Sequence, residues 1–207
     1  MRNEVPSTQP TDGPSVVDQA SALARSSQFD RAGLRERIDR PLVLVGMMGA
    51  GKSTIGRRLS ASLSLPFVDA DDEIVEAAQM SIPEIFDAFG EAYFRDGERR
   101  VIARLLDSEP RVIATGGGAF VHPDTRALIL ERGIAIWLDS DLDTLVERVS
   151  RKDTRPLLRD GDPREVLARL LEKRRPAYAE AQIHIVSDKG PLTETVARIL
   201  EALQSWL

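Results

Sequence analysis

Leu42-Val43-Leu44-Val45-Gly46-Met47-Met48-Gly49-Ala50-Gly51-Lys52-Ser53 decides the fold. Its first four residues are an apolar run suited to a buried strand. Thr54-Ile55-Gly56-Arg57-Arg58-Leu59 then continues as a helical pattern. The eight residues Gly46–Ser53 fit G-x-x-x-x-G-K-[ST], the P-loop signature. The glycines let backbone N–H groups turn inward around phosphate oxygens. The helix that follows presents its positive end to the same anion. Lys52 is placed to reach the outer phosphates of a nucleotide, and the Ser53 hydroxyl to hold Mg²⁺. A Gly-rich strand-to-helix turn with a solvated lysine is the alternative, and the strand-before, helix-after context disfavours it.

Working outward, bulk properties exclude several function classes. The chain has 207 residues and a net charge of −5, which argues against a general nucleic-acid binder. It has no cysteine, so a disulfide framework, a thiolate metal site and a cysteine nucleophile are all excluded. His122 and His184 are the only histidines, too few for a histidine-rich metal site. No apolar run approaches the ~18 residues of a membrane span. A reducing cytoplasm and a protein that does not engage membranes are the expectations.

Residues 1–28 are rich in Ser, Thr, Pro, Asp and Gln and read as a disordered extension, with too little apolar surface to offset ordering entropy. They contain no apolar core of a secretory signal. Residues 1–40 carry six acids (Glu4, Asp12, Asp18, Asp30, Glu36, Asp39) against six arginines, unlike an acid-poor transit peptide. Within 29–40, Asp30 can cap a short helix through Arg37, with Leu34 and Ile38 on one face.

Beyond the P-loop helix, Leu65-Pro66-Phe67-Val68 reads as a strand ending in Asp69-Ala70-Asp71-Asp72. Ser81-Ile82-Pro83-Glu84 is a capping box opening a helix through Phe89. Gly90 breaks it, and a longer helix spans about Glu91 to Asp107. Arg111–Ala114 is a strand ending in Thr115-Gly116-Gly117-Gly118, and a helix follows over Pro123–Glu131. Strand Ile134–Leu138 precedes helix Asp141–Val149. Residues 150–163 form a charged loop longer than most connections. Helix Pro163–Arg174, strand Ile183–Val186 and helix Leu192–Leu203 close the chain. Five short strands alternating with helices predict an α/β fold, a parallel sheet covered on both faces. Ligands of such sheets bind beyond the carboxyl ends of the strands. The P-loop, the Asp69 and Asp71 pair and the triple glycine all follow strand ends.

By themselves these later marks have two readings each. Asp69 and Asp71 suit a metal-supporting carboxylate and a base for an alcohol, or an acidic helix start that complements the dipole. The three glycines suit close approach of a small polar ligand, or a tight turn. Arg95 and Arg174 suit the two-bonded grip of a carboxylate, or a solvated surface.

Taken together the marks resemble shikimate kinase. The resemblance runs from about Leu42 onward and is carried by Gly46–Ser53, Phe67-Val68-Asp69-Ala70-Asp71, Phe94-Arg95 with Glu98, Gly116–Gly118, Arg155-Pro156-Leu157-Leu158, and Arg174 with Pro176 and Tyr178. It implies a three-layer P-loop kinase fold over residues 41–207, with strand order 2-3-1-4-5 and a mobile lid at about 150–163. It implies transfer of the ATP γ-phosphoryl group to the 3-hydroxyl of shikimate, in the route to aromatic amino acids. It also implies roles at matching positions. Gly49, Ala50, Gly51, Lys52, Ser53 and Thr54 would hold the phosphates. Ser53 would ligate one Mg²⁺, with Asp69 supporting it through water. Asp71 would bind the ring hydroxyls and serve as the base. Arg95 and Arg174 would grip the shikimate carboxylate, with Glu98 behind Arg95. Gly117 and Gly118 would contact the ring hydroxyls. Arg155, on the lid, would approach the transferring phosphate, and Arg148 would pack on adenine. Phe86 and Phe94 would line the ring or simply pack in the core. The expected partners are ATP and shikimate, and the expected state is a monomer.

Two departures stand out. Ala70 occupies a position where Ser or Thr is common, and Asp153 enters the lid where Asn is usual. Rival readings are another small P-loop kinase, for gluconate or a nucleoside monophosphate, and a nucleotide-controlled binding switch. The triple glycine and the paired arginines disfavour the first, and the lack of an Asn-Lys-x-Asp base-selecting motif disfavours the second.

Overall fold

The computed structural model describes residues 31–150, 162–187 and 190–207. The expected extension at 1–28 and most of the expected lid, with Arg155, lie outside the described residues. Ala32–Leu207 forms one compact unit.

Leu42–Val45 (β1) lies at the centre of the sheet, and all four residues are buried. Its partners are β3 (Val112–Ala114) on one side and β4 (Ile134–Asp139) on the other. β2 (Phe67–Asp69) pairs with β3, and β5 (Ile183–Val186) with β4. All pairs are parallel, in the order β2-β3-β1-β4-β5. The order implied by the family resemblance is therefore the order found. β4 is buried throughout, which fits a strand covered on both faces. The outermost strand β5 alternates buried and exposed residues.

Right-handed crossovers put helices on opposite faces when the chain moves in opposite directions along a sheet. α2 (Lys52–Leu63) carries the chain from β1 out to β2, and α8 (Leu192–Trp206) packs beside it. α4 (Ile82–Leu106) and α5 (Pro123–Arg132) serve the opposite direction and pack on one another. Between these elements lie α1 (Arg31–Arg37), α3 (Ala70–Ala78), α6 (Leu142–Ser150) and α7 (Pro163–Tyr178). Leu34 of α1 and the adjoining Ile38 are each 2% exposed, so the predicted face of that helix is buried.

Two local readings needed adjustment, and the predicted break at Gly90 is present. β2 starts after Pro66 rather than at Leu65. Ser64 takes a left-handed conformation, and Leu65 N–H bonds back to the Ser60 carbonyl, so Leu65 closes α2. Gly90 has φ 78° and ψ 175°, breaking the helical path as expected, yet the helix resumes at once and α4 is continuous apart from this kink. α7 runs on to Tyr178 with Pro176 inside it, placing Arg174 within a helix rather than at its end.

Candidate active site

The chain leaves β1 through Gly46, which presses against β4. A Cβ on Gly46 would lie 2.6 Å from the Leu138 carbonyl oxygen. Gly49 and Gly51 have φ of 84° and 90°, the left-handed region that glycine enters without penalty. The loop so formed ends at the first turn of α2, where Lys52 and Ser53 sit. Lys52 is 8% exposed, and its Nζ donates to the carbonyls of Gly46 and Met47 at 2.9 Å each. The Ser53 hydroxyl donates to Asp69 Oδ2 at 2.6 Å. Asp69 Oδ1 in turn caps α3 by accepting from the Asp71 N–H at 3.2 Å. One carboxylate thus joins the P-loop helix to the helix carrying Asp71. Arg148, on α6, reaches the same loop, with its guanidinium 3.4 Å from the carbonyls of Gly49 and Ala50.

A second cluster faces the loop. Arg95, on α4 one turn and a half beyond the Gly90 kink, donates to Glu98 Oε2 at 2.7 Å and to the more exposed Glu91 at 3.2 Å. Burial opposes the Arg95 charge, but the two carboxylates outweigh it and hold the guanidinium above its ordinary value. Glu98 is 1% exposed, and its Oε1 has no hydrogen-bond partner among the described residues. Burial raises its pKa, the Arg95 charge and hydrogen bond work against that, and the Asp71 charge adds to the rise. Phe94 lies beside Arg95 and packs on Phe86 with ring centroids 4.6 Å apart.

The triple glycine sits between these groups, and each glycine makes room for a different part of the protein. A Cβ on Gly116 would fall 2.9 Å from Asp71 Oδ1 and 3.0 Å from Glu98 Oε1. One on Gly117 would meet the Met48 N–H nitrogen at 3.1 Å and the Arg174 guanidinium at 3.5 Å. One on Gly118 would fall 2.6 Å from Arg95. The glycines therefore let one acid pair, one P-loop peptide and two arginines converge on a single strand end. The Gly117 carbonyl accepts from Arg174 at 3.1 Å and from the Tyr178 hydroxyl.

These groups line one cleft of about 750 Å³ at the carboxyl ends of the strands. Of the residues singled out in the sequence, Gly49, Gly51, Lys52, Ser53, Thr54, Asp69, Asp71, Arg95, Gly117, Gly118, Arg148 and Arg174 all line it, as do Glu98, Phe86 and Phe94. Ala50 is fully buried behind the loop. Arg155 falls outside the described residues. Sequence reading gave no place to Val75, Ile82, Pro83 and Thr115, which also line the cleft. Residues of these types carry no chemical signature, and only their position relative to the acids and arginines marks them. Tyr178 had a place in the resemblance but no role.

Ser53 and Asp69 offer hard oxygen donors, the chemistry Mg²⁺ takes. Among the described residues no group of three or more acidic or histidine side chains is assembled to hold a metal ion. A Mg²⁺ here must therefore draw most of its ligands from phosphate and water, its usual habit at nucleotide sites. The donor set fits. Among the described residues no helix is long and apolar enough to cross a membrane.

A sequence profile of the shikimate kinase family matches residues 48–204. A shikimate kinase of Novosphingobium aromaticivorans is 60% identical over 195 residues, spanning 92% of this chain and all of that one. A shikimate kinase of Caulobacter vibrioides is 57% identical over 84% of this chain and 86% of its own. Among solved structures, the Acinetobacter baumannii shikimate kinase in complex with shikimate superposes with a TM-score of 0.79 at 35% identity, covering 84% of this chain and 97% of that one. A gluconokinase of Sinorhizobium meliloti, at 19% identity and a TM-score of 0.55, shares the fold alone. With its order of strands, its P-loop and its acid, glycine and arginine marks brought to one cleft, the chain belongs to the shikimate kinase family.

Proposed function

We infer that this protein transfers the γ-phosphoryl group of ATP to the 3-hydroxyl of shikimate, giving 3-phosphoshikimate and ADP, in aromatic amino-acid biosynthesis. The observation that carries the reading is the single cleft with two unlike walls: a P-loop with Lys52 and Ser53 on one, and Asp71, Arg95 and Arg174 on the other. A bare nucleotide switch has no use for the second wall.

Phosphoryl transfer needs alignment and charge neutralisation more than covalent help from the protein. The loop amides of Gly49–Thr54 and the Lys52 ammonium bind the phosphates, and Arg148 packs beside the adenine. Ser53 would hold Mg²⁺, with Asp69 supporting it through water. When bound, that ion supplies positive charge to the phosphate oxygens. Arg95 and Arg174 grip the acceptor carboxylate from two elements, which fixes the ring in orientation as well as position. Gly117 and Gly118 present backbone to the ring hydroxyls. Asp71, on the first turn of α3, accepts a hydrogen bond from the acceptor hydroxyl and takes its proton as the bond to phosphorus forms. Glu98 holds Arg95 in place. Arg155 adds positive charge at the transferring group, and closure of the 150–163 segment excludes water, the competing acceptor. The working unit is a cytoplasmic monomer that engages neither nucleic acid nor membrane.

A coupled ADP-release assay with ATP and Mg²⁺ across shikimate, gluconate and nucleoside monophosphates tests the reading. ADP release that depends on shikimate is expected. Release without any acceptor dependence, or with a different acceptor only, overturns it.

A further inference from the structure

We infer that Tyr178 is a positioning residue, acting on shikimate through Arg174 and the Gly117 peptide. The inference rests on the reading of Arg174 as a grip for the acceptor carboxylate. Tyr178 follows Arg174 by four positions on α7, so the two side chains share one helix face. Tyr178 is fully buried. Its hydroxyl donates to the Gly117 carbonyl at 2.5 Å, and Arg174 donates to the same oxygen at 3.1 Å. The Arg174 charge also acts on the phenol, working against the rise that burial imposes on its pKa. Arginine and phenol thus converge on one peptide carbonyl.

The phenol is held from both sides. Its ring stacks on Trp137 of β4, with centroids 6.0 Å apart. Its oxygen lies 3.8 Å from Met47 Sδ. Met47 is the residue whose carbonyl accepts from Lys52. Burial pushes the Tyr178 pKa up to about 12, only partly offset by Arg174, so the hydroxyl stays protonated and available as a donor. Two residues later Glu180 extends the brace. Arg126 donates to Glu180 at 3.0 Å and to the carbonyls of Phe120 and Val121, in the turn that follows the glycines.

A free arginine side chain holds about 2 kcal/mol of rotamer entropy, which a ligand must remove on binding. An arginine already tied at one N–H group presents the rest of its fork in a fixed direction, and that pre-organisation appears as affinity. A phenylalanine at 178 keeps the ring against Trp137 and leaves the Gly117 oxygen with its Arg174 bond. It removes only the phenol's hold on the Gly117 peptide that anchors Arg174.

The test uses the full chain with Tyr178→Phe, Arg174→Ala and the double variant. Steady-state kinetics give KM for each substrate and kcat, and calorimetric titration with shikimate gives Kd. Fitted stoichiometry reports the folded fraction, so Kd is read for native molecules even if a variant folds incompletely. The expected result for Tyr178→Phe is a rise in shikimate KM and Kd of about fivefold, the scale of one neutral hydrogen bond, with kcat and the KM for ATP within about twofold. Arg174→Ala raises shikimate Kd further, and adding Tyr178→Phe to it changes nothing more. Unchanged shikimate Kd in Tyr178→Phe overturns the inference while the role of Arg174 stands. So does a full effect persisting on the Arg174→Ala background, because the phenol then acts by another route. Unchanged Kd in Arg174→Ala removes the grip itself, and the inference falls with it.

Discussion

Gly118→Ala is a one-methyl probe of the acceptor wall. The Gly118 backbone has φ −100° and ψ −18°, a conformation alanine adopts freely, so no strain arises from the main chain. The new Cβ, however, falls 2.6 and 2.7 Å from the two terminal nitrogens of Arg95, well inside the 3.4 Å at which ordinary contact begins. Arg95 is the far end of a flexible side chain, so it gives way rather than the backbone. Moving it breaks the 2.7 Å ion pair with Glu98 and turns the fork away from the acceptor carboxylate. A charged hydrogen bond of this kind contributes about 2–3 kcal/mol, which corresponds to a shikimate KM raised roughly 30- to 150-fold. The KM for ATP stays level, because the atoms nearest the new methyl belong to Arg95 and not to the P-loop. Stability carries a second signature. Glu98 already titrates above its ordinary 4.5 in the folded state, so its contribution is complete below pH 4.5 and is lost as pH rises through the folded value. Losing Arg95 removes the charge that lowers that value, so the folded pKa climbs further. The deficit of the variant in melting temperature should then be smaller at pH 5 than at pH 8. The upper bound at alkaline pH is about 3–5 kcal/mol, the cost of a buried charge without its partner. Coupled-assay kinetics and melts at the two pH values measure both effects. A folded variant whose shikimate KM lies within twofold of the parent refutes the claim that this glycine exists to seat Arg95.

Three further outcomes are expected. Arg155→Ala lowers kcat by ~10³-fold or more and leaves the shikimate KM nearly unchanged, as for other arginines that meet a transferring phosphoryl group. A near-normal kcat removes Arg155 from that role. Asp71→Asn retains ATP binding in a calorimetric titration but loses turnover, and persistent turnover shows that the carboxylate is not the base. Gly117→Ala places a Cβ 3.1 Å from a backbone nitrogen of the P-loop, which cannot swing aside as a side chain can, so the KM for ATP and for shikimate rise together. A change confined to shikimate would place the strain on Arg174 alone.

The elements of this fold were legible wherever a local pattern determines them. The Ser81 capping box is present as read, with the Ser81 hydroxyl accepting from Glu84 N–H and the Glu84 carboxylate accepting from Ser81 N–H. The break at Gly90 was equally local. What misled was competition between neighbours. Leu65 looks like a strand residue because it is apolar, but its N–H is already engaged by Ser60 of the preceding helix. The helix read as ending at Arg174 instead absorbs Pro176 and reaches Tyr178, whose side chain contacts Gly117 and Trp137 in a way no local pattern announces. Most of the polar residues that line the cleft were also readable, because charged and glycine residues at strand ends are few. A further demand on the glycines was not. Sequence reading offered close approach of a ligand or a tight turn, and the structure adds that their missing Cβ atoms leave space for Asp71, Glu98, Met48, Arg174 and Arg95. Those neighbours lie from about twenty to seventy positions away in the chain, and only the closed sheet reveals the crowding.

This crowding bears on how two substrates are aligned. A kinase that bound its donor and acceptor on independently mobile parts would hold each tightly and still leave their reacting atoms misplaced. Here the Gly117 peptide is common to both walls. Its α-carbon packs against the P-loop at Met48, while its carbonyl anchors Arg174. Asp69 makes a second link, accepting from Ser53 on the donor side and from the Asp71 N–H on the acceptor side. Apart from the Arg174 side chain itself, each link runs through atoms on or next to the main chain. The distance between the proposed phosphate and carboxylate sites is therefore tied to the parallel register of β1, β2 and β3, in which Leu44, Asp69 and Ala114 lie level. A misplacement of about 1 Å can cost a hundredfold in rate. Building the junction from backbone at three adjacent strand ends is the way this fold avoids it.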